Sequence, residues 1–306
     1  MSLESMLIRN LNRRRRRRAV QKSGICLGET KELLTNEQGP FSLPPTLVQH
    51  SFISGRTGCG KTTLLLRLMA EYYKAAIPFL FIDLHGQATD DLLALIGRGT
   101  NLSIKRPPLL IEPWADRVMG WNPLEATGEF RFPIAQELVS IFHYFWRDAW
   151  GPRLEELLLM TLLALIAARL TILEATLFLT LAEFRRNVLR DVDISEVREF
   201  WTLRFERLSP SQRSSFMEPV LNKIRVFHDP ALKYLVGQQR STLDLDRALG
   251  EAQTIIANFP SARLQGSNQL LGALLLAKFK GAVYRRPANA PPYGLILDEF
   301  QEMLTW

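Results

Sequence analysis

The sequence predicts an α/β fold in which a parallel sheet carries an inserted all-α region. Three observations support this fold class. Residues 55–62 read G-R-T-G-C-G-K-T and precede a run of leucines at helical spacing. The unbroken apolar run at residues 79–82 is typical of a parallel strand that is buried on both faces, and residues 294–297 form another short apolar strand. Between them, residues 121–250 show helical periodicity and almost no strand pattern.

The predicted elements alternate between strand and helix on both sides of the helical stretch. The first part comprises a small hairpin in residues 25–50, a strand at 51–54, a helix at 62–73, a strand at 79–82, a helix at 90–96 and a short strand at 109–111. The last part comprises a strand at 254–259, a helix at 266–285 and a strand at 295–297. The predicted domains are a disordered basic tail at 1–24, a nucleotide-binding domain at 25–120 and 251–306, and the all-α insertion at 121–250.

The net charge of +7 lies entirely in the first 22 residues, which hold seven arginines and one lysine against one glutamate. The remainder of the chain is formally neutral, so it shows no net basic footprint for nucleic acid. The run Arg13–Arg18 leaves three interpretations open: contact with DNA phosphates, contact with anionic lipid, or a solvated tail. The aromatic stretch 142–147 at helical spacing favours core packing over base stacking.

The segment 55–62 is a complete P-loop, G-x-x-x-x-G-K-[ST], and it predicts that the chain binds ATP with Mg²⁺. Its glycines let successive backbone N–H groups turn towards phosphate oxygens, and the helix that follows directs its N-terminus at the anion. Lys61 is expected to reach the terminal phosphates, and the Thr62 hydroxyl to bind Mg²⁺. The predicted nucleotide-binding residues are Gly55, Arg56, Thr57, Gly58, Cys59, Gly60, Lys61, Thr62 and Thr63.

Two adjacent carboxylates, Asp298 and Glu299, follow the last apolar run. Given the P-loop, we interpret Asp298 as a magnesium-site residue and Glu299 as the base that polarises an attacking water. The alternative is a pair of surface acids at a strand end. For Asp83 the sequence leaves two interpretations equally open: a role near the nucleotide or in subunit coupling, and the cap of a turn in which Gly86 supplies a positive φ.

The cysteine usage and hydropathy predict a cytoplasmic protein. Cys59 lies within the P-loop, so a disulfide with Cys26 is not expected. No apolar segment of a secretory signal follows the arginine run, and the longest uncharged apolar run, residues 157–168, is shorter than the ~20 residues of a membrane-spanning helix. Peripheral contact with the inner membrane stays open because of the basic tail.

Four segments in this order resemble the HerA/FtsK-type hexameric translocases, especially the coupling ATPases of conjugation and type IV secretion. They are H-S-F-I-S-G at 50–55, F-I-D-L-H-G at 81–86, W-N-P-L at 121–124 and L-D-E-F at 297–300. The resemblance covers residues 25–306. The P-loop and the Asp-Glu pair occur in many ATPases, whereas the Asp-x-His-Gly and Asn-Pro-Leu segments around a helical insertion narrow the resemblance to this family.

The resemblance implies a RecA-like P-loop NTPase sheet with an all-α domain, assembled as a ring, with DNA and components of a secretion or conjugation machinery as partners. It assigns Lys61 and Thr62 to phosphate and magnesium, and Asp298 and Glu299 to magnesium and water. Relatives continue well past the Asp-Glu pair with a sensor strand and an arginine that acts in the neighbouring subunit. We therefore expect a C-terminally incomplete fold. The alternative function is a nucleotide-binding relative that does not hydrolyse ATP and acts as a binding protein.

Overall fold

The computed structural model describes residues 25–31, 38–43, 51–56, 58–99 and 106–303. The predicted tail at 1–24 lies outside these residues. The chain divides into two compact units. The first comprises residues 1–79, 87–107 and 292–294, and the second comprises residues 80–86, 108–291 and 295–306.

The first unit contains the predicted hairpin and two helices. Strands β1 (Ile25–Lys31) and β2 (Gln38–Leu43) pair antiparallel, with Ile25 opposite Leu43. Helix α1 (Lys61–Lys74) packs against α2 (Gln87–Gly99) and β1. The helix predictions are confirmed, and both helices are longer than their apolar patterns indicated.

The strand predicted at 51–54 is wrong, because Ser51–Arg56 have no regular secondary structure. A strand needs a neighbouring strand to accept and donate its ladder hydrogen bonds. It also needs enough apolar surface to bury. The segment offers two apolar residues between serines, and one of them, Phe52, is 74% exposed.

A four-stranded parallel sheet has the strand order β4-β5-β3-β6. Its strands are β3 (Phe79–Asp83), β4 (Leu109–Ile111), β5 (Ile255–Asn258) and β6 (Gly294–Leu297). Every residue of β3 is buried, as its unbroken apolar run predicted, and every residue of β5 is buried as well, whereas Leu295 in β6 is 42% exposed. Asp83 lies opposite Asn258 and Ile111 opposite Ala257, so the carboxyl ends of these strands meet at one edge.

Residues 121–250 contain helices and no strand within the described chain, although the predicted domain boundaries stay a prediction. The α-helices are α3 (Arg131–Phe145), α4 (Pro152–Ala167), α5 (Ala175–Thr180), α6 (Ala182–Arg190), α7 (Ser195–Glu199), α8 (Pro210–Ile224), α9 (Pro230–Val236) and α10 (Leu245–Gly250). A π-helix spans Phe200–Phe205, and α11 (Ser261–Leu264) and α12 (Ser267–Tyr284) follow β5.

Local sequence explains where several of these helices begin. Proline occupies the first turn of α4, α8 and α9, where its missing N–H costs nothing. Ser209 and Gln212 form a capping box at the start of α8, and Asp229 caps α9. Among the described residues, no helix combines the length and hydrophobicity that crossing a membrane would require.

The core of the helical region is aromatic and includes one buried cation. Trp201 is fully buried between Phe178 and Phe205, with ring centroids 4.8 and 4.7 Å away. Arg185 donates to Glu206 and to two backbone carbonyls, and its guanidinium faces the Trp201 ring. In the stretch 142–147 the core interpretation holds for Phe142, which is buried against Phe227, whereas the other aromatic side chains of the stretch are half-buried or exposed.

Asn122, in the Asn-Pro-Leu segment, connects three parts of the helical region. It is 2% exposed, and its Oδ1 accepts from Leu124 N at 2.9 Å. Its Nδ2 donates to the carbonyls of Leu170 and Gln239 at 3.2 and 3.4 Å. Because both ends of the amide are satisfied by backbone groups, this residue has a structural role.

Candidate nucleotide site

The P-loop is shaped by two glycines in left-handed backbone conformations. Gly58 has φ 81° and Gly60 has φ 94°, and Gly60 is the N-cap of α1. L-residues with a side chain rarely adopt these angles, so the sequence positions of the glycines determine the path of the loop. The loop is exposed, and the space beside the Cα atoms of Gly58 and Gly60 is open. It therefore presents an accessible backbone surface at the start of a helix.

Internal hydrogen bonds hold the loop closed on itself. Cys59 N donates to the Arg56 carbonyl at 3.2 Å, and the Lys61 ammonium lies 3.2 Å from the Gly55 carbonyl. This contact keeps a positive charge against the loop backbone. The packing of the loop favours a glycine at position 55, because a Cβ there would come within 2.5 Å of Cys59 Sγ. Thr57 lies outside the described residues.

Helix α1 begins directly at the loop, at Lys61, without an acidic residue in its first turn. The first backbone N–H groups of a helix have no partner within the helix, and its dipole is positive at this end. Thr62 and Thr63 are exposed in the first turn, where a hydroxyl can serve as an oxygen ligand. The loop and the first turn therefore offer what a polyphosphate anion requires: amide donors, an ammonium and a positive dipole.

The second unit places four polar side chains along the carboxyl edge of its sheet. Asp83 and Asn258 are the last residues of β3 and β5, whereas Glu112 and Asp298 directly follow β4 and β6. In open α/β sheets, ligands bind outside the carboxyl ends of the strands. Sequence reasoning missed Glu112 and Asn258. Both could have been found, because each stands at the end of an apolar run.

Asn258 and Glu112 contact each other directly. Asn258 Nδ2 donates to Glu112 Oε1 at 2.7 Å, while Asn258 Oδ1 is buried and has no hydrogen-bond partner within the described structure. Asn258 Oδ1 also lies 3.4 Å from where a Cβ on Gly86 would stand. The polar row at this edge is therefore closely packed.

Asp83 forms the turn that one of its two interpretations predicted. It is 1% exposed, and its Oδ1 accepts from the backbone N–H groups of His85 and Gly86 at 2.9 and 2.8 Å. Gly86 has φ 90°, and a Cβ there would come within 2.8 Å of Pro260. The turn therefore requires both an acceptor at position 83 and a glycine at position 86.

Asp298 and Glu299 follow β6 in a strained turn. Glu299 has φ 49°, a left-handed conformation that is uncommon for a residue with a long side chain. Asp298 Oδ1 accepts from Glu299 N at 3.1 Å, and Gln301 Nε2 donates to Glu299 Oε2 at 2.5 Å. Such strain concentrates at functional sites, where the surrounding structure holds a side chain in place.

Thr62 in the first unit and Asp298 in the second each carry an oxygen of the kind that Mg²⁺ binds, and their joint role as magnesium ligands stays a prediction. Within the described part of the chain, no cluster of three or more His, Cys, Asp or Glu side chains could hold a metal ion. Mg²⁺ does not require such a cage, because it is usually bound by one or two protein oxygens together with water and substrate phosphates. The Thr62 hydroxyl and the Asp298 carboxylate are ligands of this type.

No family model and no curated protein sequence matches the chain. Solved structures of a bacterial conjugative coupling protein, TrwB, do match it. The unbound monoclinic form of TrwBdeltaN70 aligns with a TM-score of 0.51 and 14% identity, over 79% of this chain and 53% of that chain. The plasmid coupling protein TrwB in complex with ADP and Mg²⁺ aligns with a TM-score of 0.50 and 15% identity, over 79% and 54% of the two chains.

The fold, a parallel four-stranded sheet with many helices, is similar to that of the solved TrwB structures. This confirms the predicted fold class and agrees with the resemblance found in the sequence. The chain spans about half the length of the solved structures that it matches. At this level of identity the likeness concerns the fold, and the roles of individual site residues stay predictions.

Proposed function

We propose that the chain is a Mg²⁺-dependent ATPase of the HerA/FtsK type that acts as a DNA translocation motor in conjugation or type IV secretion. The observation that carries this proposal is the P-loop conformation, with Gly58 and Gly60 leading into α1 and Lys61 held against the loop. The TrwB-like fold supports the coupling-ATPase type. The assembly proposed with it is a cytoplasmic hexameric ring.

In this proposal the P-loop binds the phosphates of ATP through its backbone N–H groups and through Lys61. Thr62 and Asp298 would hold Mg²⁺, which neutralises negative charge on the phosphates when bound. Glu299 positions and polarises the attacking water as a general base, and an arginine from a neighbouring subunit completes the site. The strained conformation of Glu299 supports its part in this scheme.

Steady-state ATP hydrolysis by the full chain, with and without single- and double-stranded DNA, tests the proposal. We expect DNA-stimulated turnover in the wild type and a loss of at least about 100-fold in Lys61→Ala, because an ammonium beside the phosphates is removed. Lys74→Ala is the matched control, since Lys74 pairs with Glu71 at the far end of the same helix. Turnover retained in Lys61→Ala would contradict the proposal.

One observation favours a second candidate function. The segment before the P-loop, residues 51–54, does not form the strand that normally anchors such a loop to a sheet. A nucleotide-binding relative that does not hydrolyse ATP, and that acts by binding a partner, would fit this feature. Calorimetric binding of ATP without measurable turnover under any DNA condition would favour this candidate over the motor.

A further inference from the structure

The turn that follows Glu299 is held by a helix of the all-α region. Tyr144, in the last turn of α3, donates from its hydroxyl to the Gln301 carbonyl at 3.1 Å. The two residues are 157 positions apart in sequence, and both belong to the second unit. The contact therefore connects the helical region to the short 3₁₀ turn Phe300–Glu302, which begins directly after Glu299.

Gln301 contacts Glu299 as well as Tyr144. Its side chain donates from Nε2 to Glu299 Oε2 at 2.5 Å, while its backbone carbonyl accepts from the Tyr144 hydroxyl. The bond to Glu299 engages one oxygen of the carboxylate, and a carboxylate can accept further hydrogen bonds at its other oxygen. Gln301 therefore fixes the direction of this carboxylate without using all of its acceptor capacity.

The backbone conformation of Glu299 requires such support. Its φ of 49° is left-handed, and a residue with a side chain keeps such a conformation only where the surrounding structure imposes it. Within the turn, Glu302 N donates to the Glu299 carbonyl and Met303 N donates to the Phe300 carbonyl, both at 3.0 Å. These two bonds close the turn on itself, so its attachment to the rest of the unit depends on other contacts.

Met303 attaches the far end of the turn to α12. Met303 is 1% exposed, and its Sδ lies 2.6 Å from where a Cβ on Gly272 would stand. Gly272 lies within α12, so the missing side chain at this position gives Met303 the room that it occupies. The turn is therefore held by α12 at Met303 and by α3 at Tyr144, and Gln301 lies between these two attachments.

The ring of Tyr144 is itself held in place. The Phe145 ring contacts it edge-on, with the ring centroids 5.2 Å apart, and the Arg147 guanidinium lies 5.3 Å from its centroid. The side chain is half-buried, so its hydroxyl is carried by a partly enclosed ring. A donor that is already oriented loses little conformational freedom when it binds the Gln301 carbonyl.

We propose that Gln301 and Tyr144 are positioning residues for the general base. Gln301 orients the Glu299 carboxylate towards the attacking water, and Tyr144 holds Gln301. The inference rests on the proposed function, since it requires Glu299 to act as the base. It goes beyond that function by making α3, a helix of the all-α region, responsible for the alignment of the base. Such alignment matters because a misplacement of about 1 Å can lower a rate by roughly 100-fold.

The first test measures kcat and KM for ATP on the full chain, under the DNA condition that gives the highest turnover. Gln301→Met keeps the length of the side chain and removes its donor. We expect kcat to fall about 10-fold while KM changes less than about 2-fold, because alignment in the transition state is lost and binding of ATP is not. A wild-type kcat in Gln301→Met would overturn the proposal.

The role of Tyr144 is tested by removing its hydroxyl alone. Tyr144→Phe is expected to lower kcat about threefold with little change in KM, a smaller loss because Tyr144 acts through Gln301. Tyr284→Phe is the matched control and should behave like the wild type, since Tyr284 is 77% exposed on α12. Equal kcat values for the two variants would overturn the assignment of Tyr144.

Combined variants separate positioning from a general loss of structure. In the Glu299→Gln background there is no base to align, so adding Gln301→Met is expected to change the residual turnover by less than about 2-fold. The double variant of Gln301→Met and Tyr144→Phe should be no slower than Gln301→Met alone, because both residues act through the same carboxylate. Losses that multiply in either combination would show that these residues support the fold instead, and would overturn the proposal.

Hydrogen exchange tests the attachment of the turn without relying on turnover. In Tyr144→Phe, the amides of Glu302 and Met303 are expected to exchange faster, because the turn has lost its contact with α3. Mass spectrometry of the peptide that contains both residues measures this exchange, with Tyr284→Phe as the control. The same exchange in both variants would contradict the attachment by Tyr144.

The outcomes distinguish this inference from the proposed function. A wild-type chain that hydrolyses no ATP under any DNA condition would contradict both, since there would be no base to position. An active wild type that loses turnover in Glu299→Gln and keeps it in Gln301→Met would contradict the positioning role alone.

Discussion

The segments that resemble the coupling ATPases form two kinds of structure. The P-loop is exposed, and its shape comes from two left-handed glycines at the start of α1. Asn122 and Asp83 are buried, and their side chains satisfy backbone groups. A residue in a segment that resembles the family therefore does not have to take part in the reaction. We expect the exposed set to control turnover and the buried set to control stability.

The largest effect is expected at Glu299. Glu299→Gln should reduce ATP turnover by at least about 100-fold, because the amide cannot act as a general base, while nucleotide binding and the midpoint of thermal unfolding change little. Steady-state hydrolysis measures the loss of turnover, and calorimetry measures the affinity for ATP. Glu302→Gln, in the same helical turn, is the control. If Glu299→Gln kept near wild-type turnover, Glu299 would not be the base.

Asn122 should show the opposite behaviour. Asn122→Ala leaves the Leu124 N–H and the carbonyls of Leu170 and Gln239 without their partner, so unfolding free energy should fall by about 2–3 kcal/mol. Urea denaturation measures this loss. Asn187→Ala, on an exposed position of α6, should stay within about 0.5 kcal/mol. If the Asn122→Ala variant were stable but had lost turnover, Asn122 would instead belong with the residues that control turnover.

A substitution at Gly60 tests whether the stability and ATP binding of the loop depend on the left-handed backbone conformation at this position. Gly60→Ala forces a side chain into φ 94° and should destabilise the chain by about 1–2 kcal/mol. It should also weaken ATP binding, because the loop amides move. Gly97→Ala is a useful contrast, since Gly97 lies within α2 and a Cβ there meets nothing within 4 Å; it should be neutral or stabilising. Comparable denaturation curves for the two variants would contradict this account.

The smallest effect on stability is expected at Asp83, where a substitution can separate a role in the turn from a role in turnover. Asp83→Asn keeps an oxygen that can accept from His85 N and Gly86 N, so it should lose less than about 1 kcal/mol of stability. Turnover should be preserved if the turn is the role of Asp83. A stable Asp83→Asn variant that has lost turnover would instead support the role near the nucleotide or in subunit coupling.

The fold class could be predicted from the sequence because its signals are local. The run F-L-F-I-D fixed β3 as a strand buried on both faces, and helical spacing predicted α1 and α4. The P-loop could be predicted for the same reason, since its conformation follows from the positions of Gly58 and Gly60. The strand at 51–54 could not, because a strand exists only when another strand pairs with it.

The sequence by itself determined the alternation of elements, the phosphate-binding loop and the strand that precedes Asp298, since each depends on residues that are close along the chain. The tertiary structure decided the rest. It aligned β4, β5, β3 and β6, which places Asn258 beside both Asp83 and Glu112, and it brought Asp116 and Tyr234 to one pocket. These pairs are far apart in sequence, and only packing and strand register can bring them together.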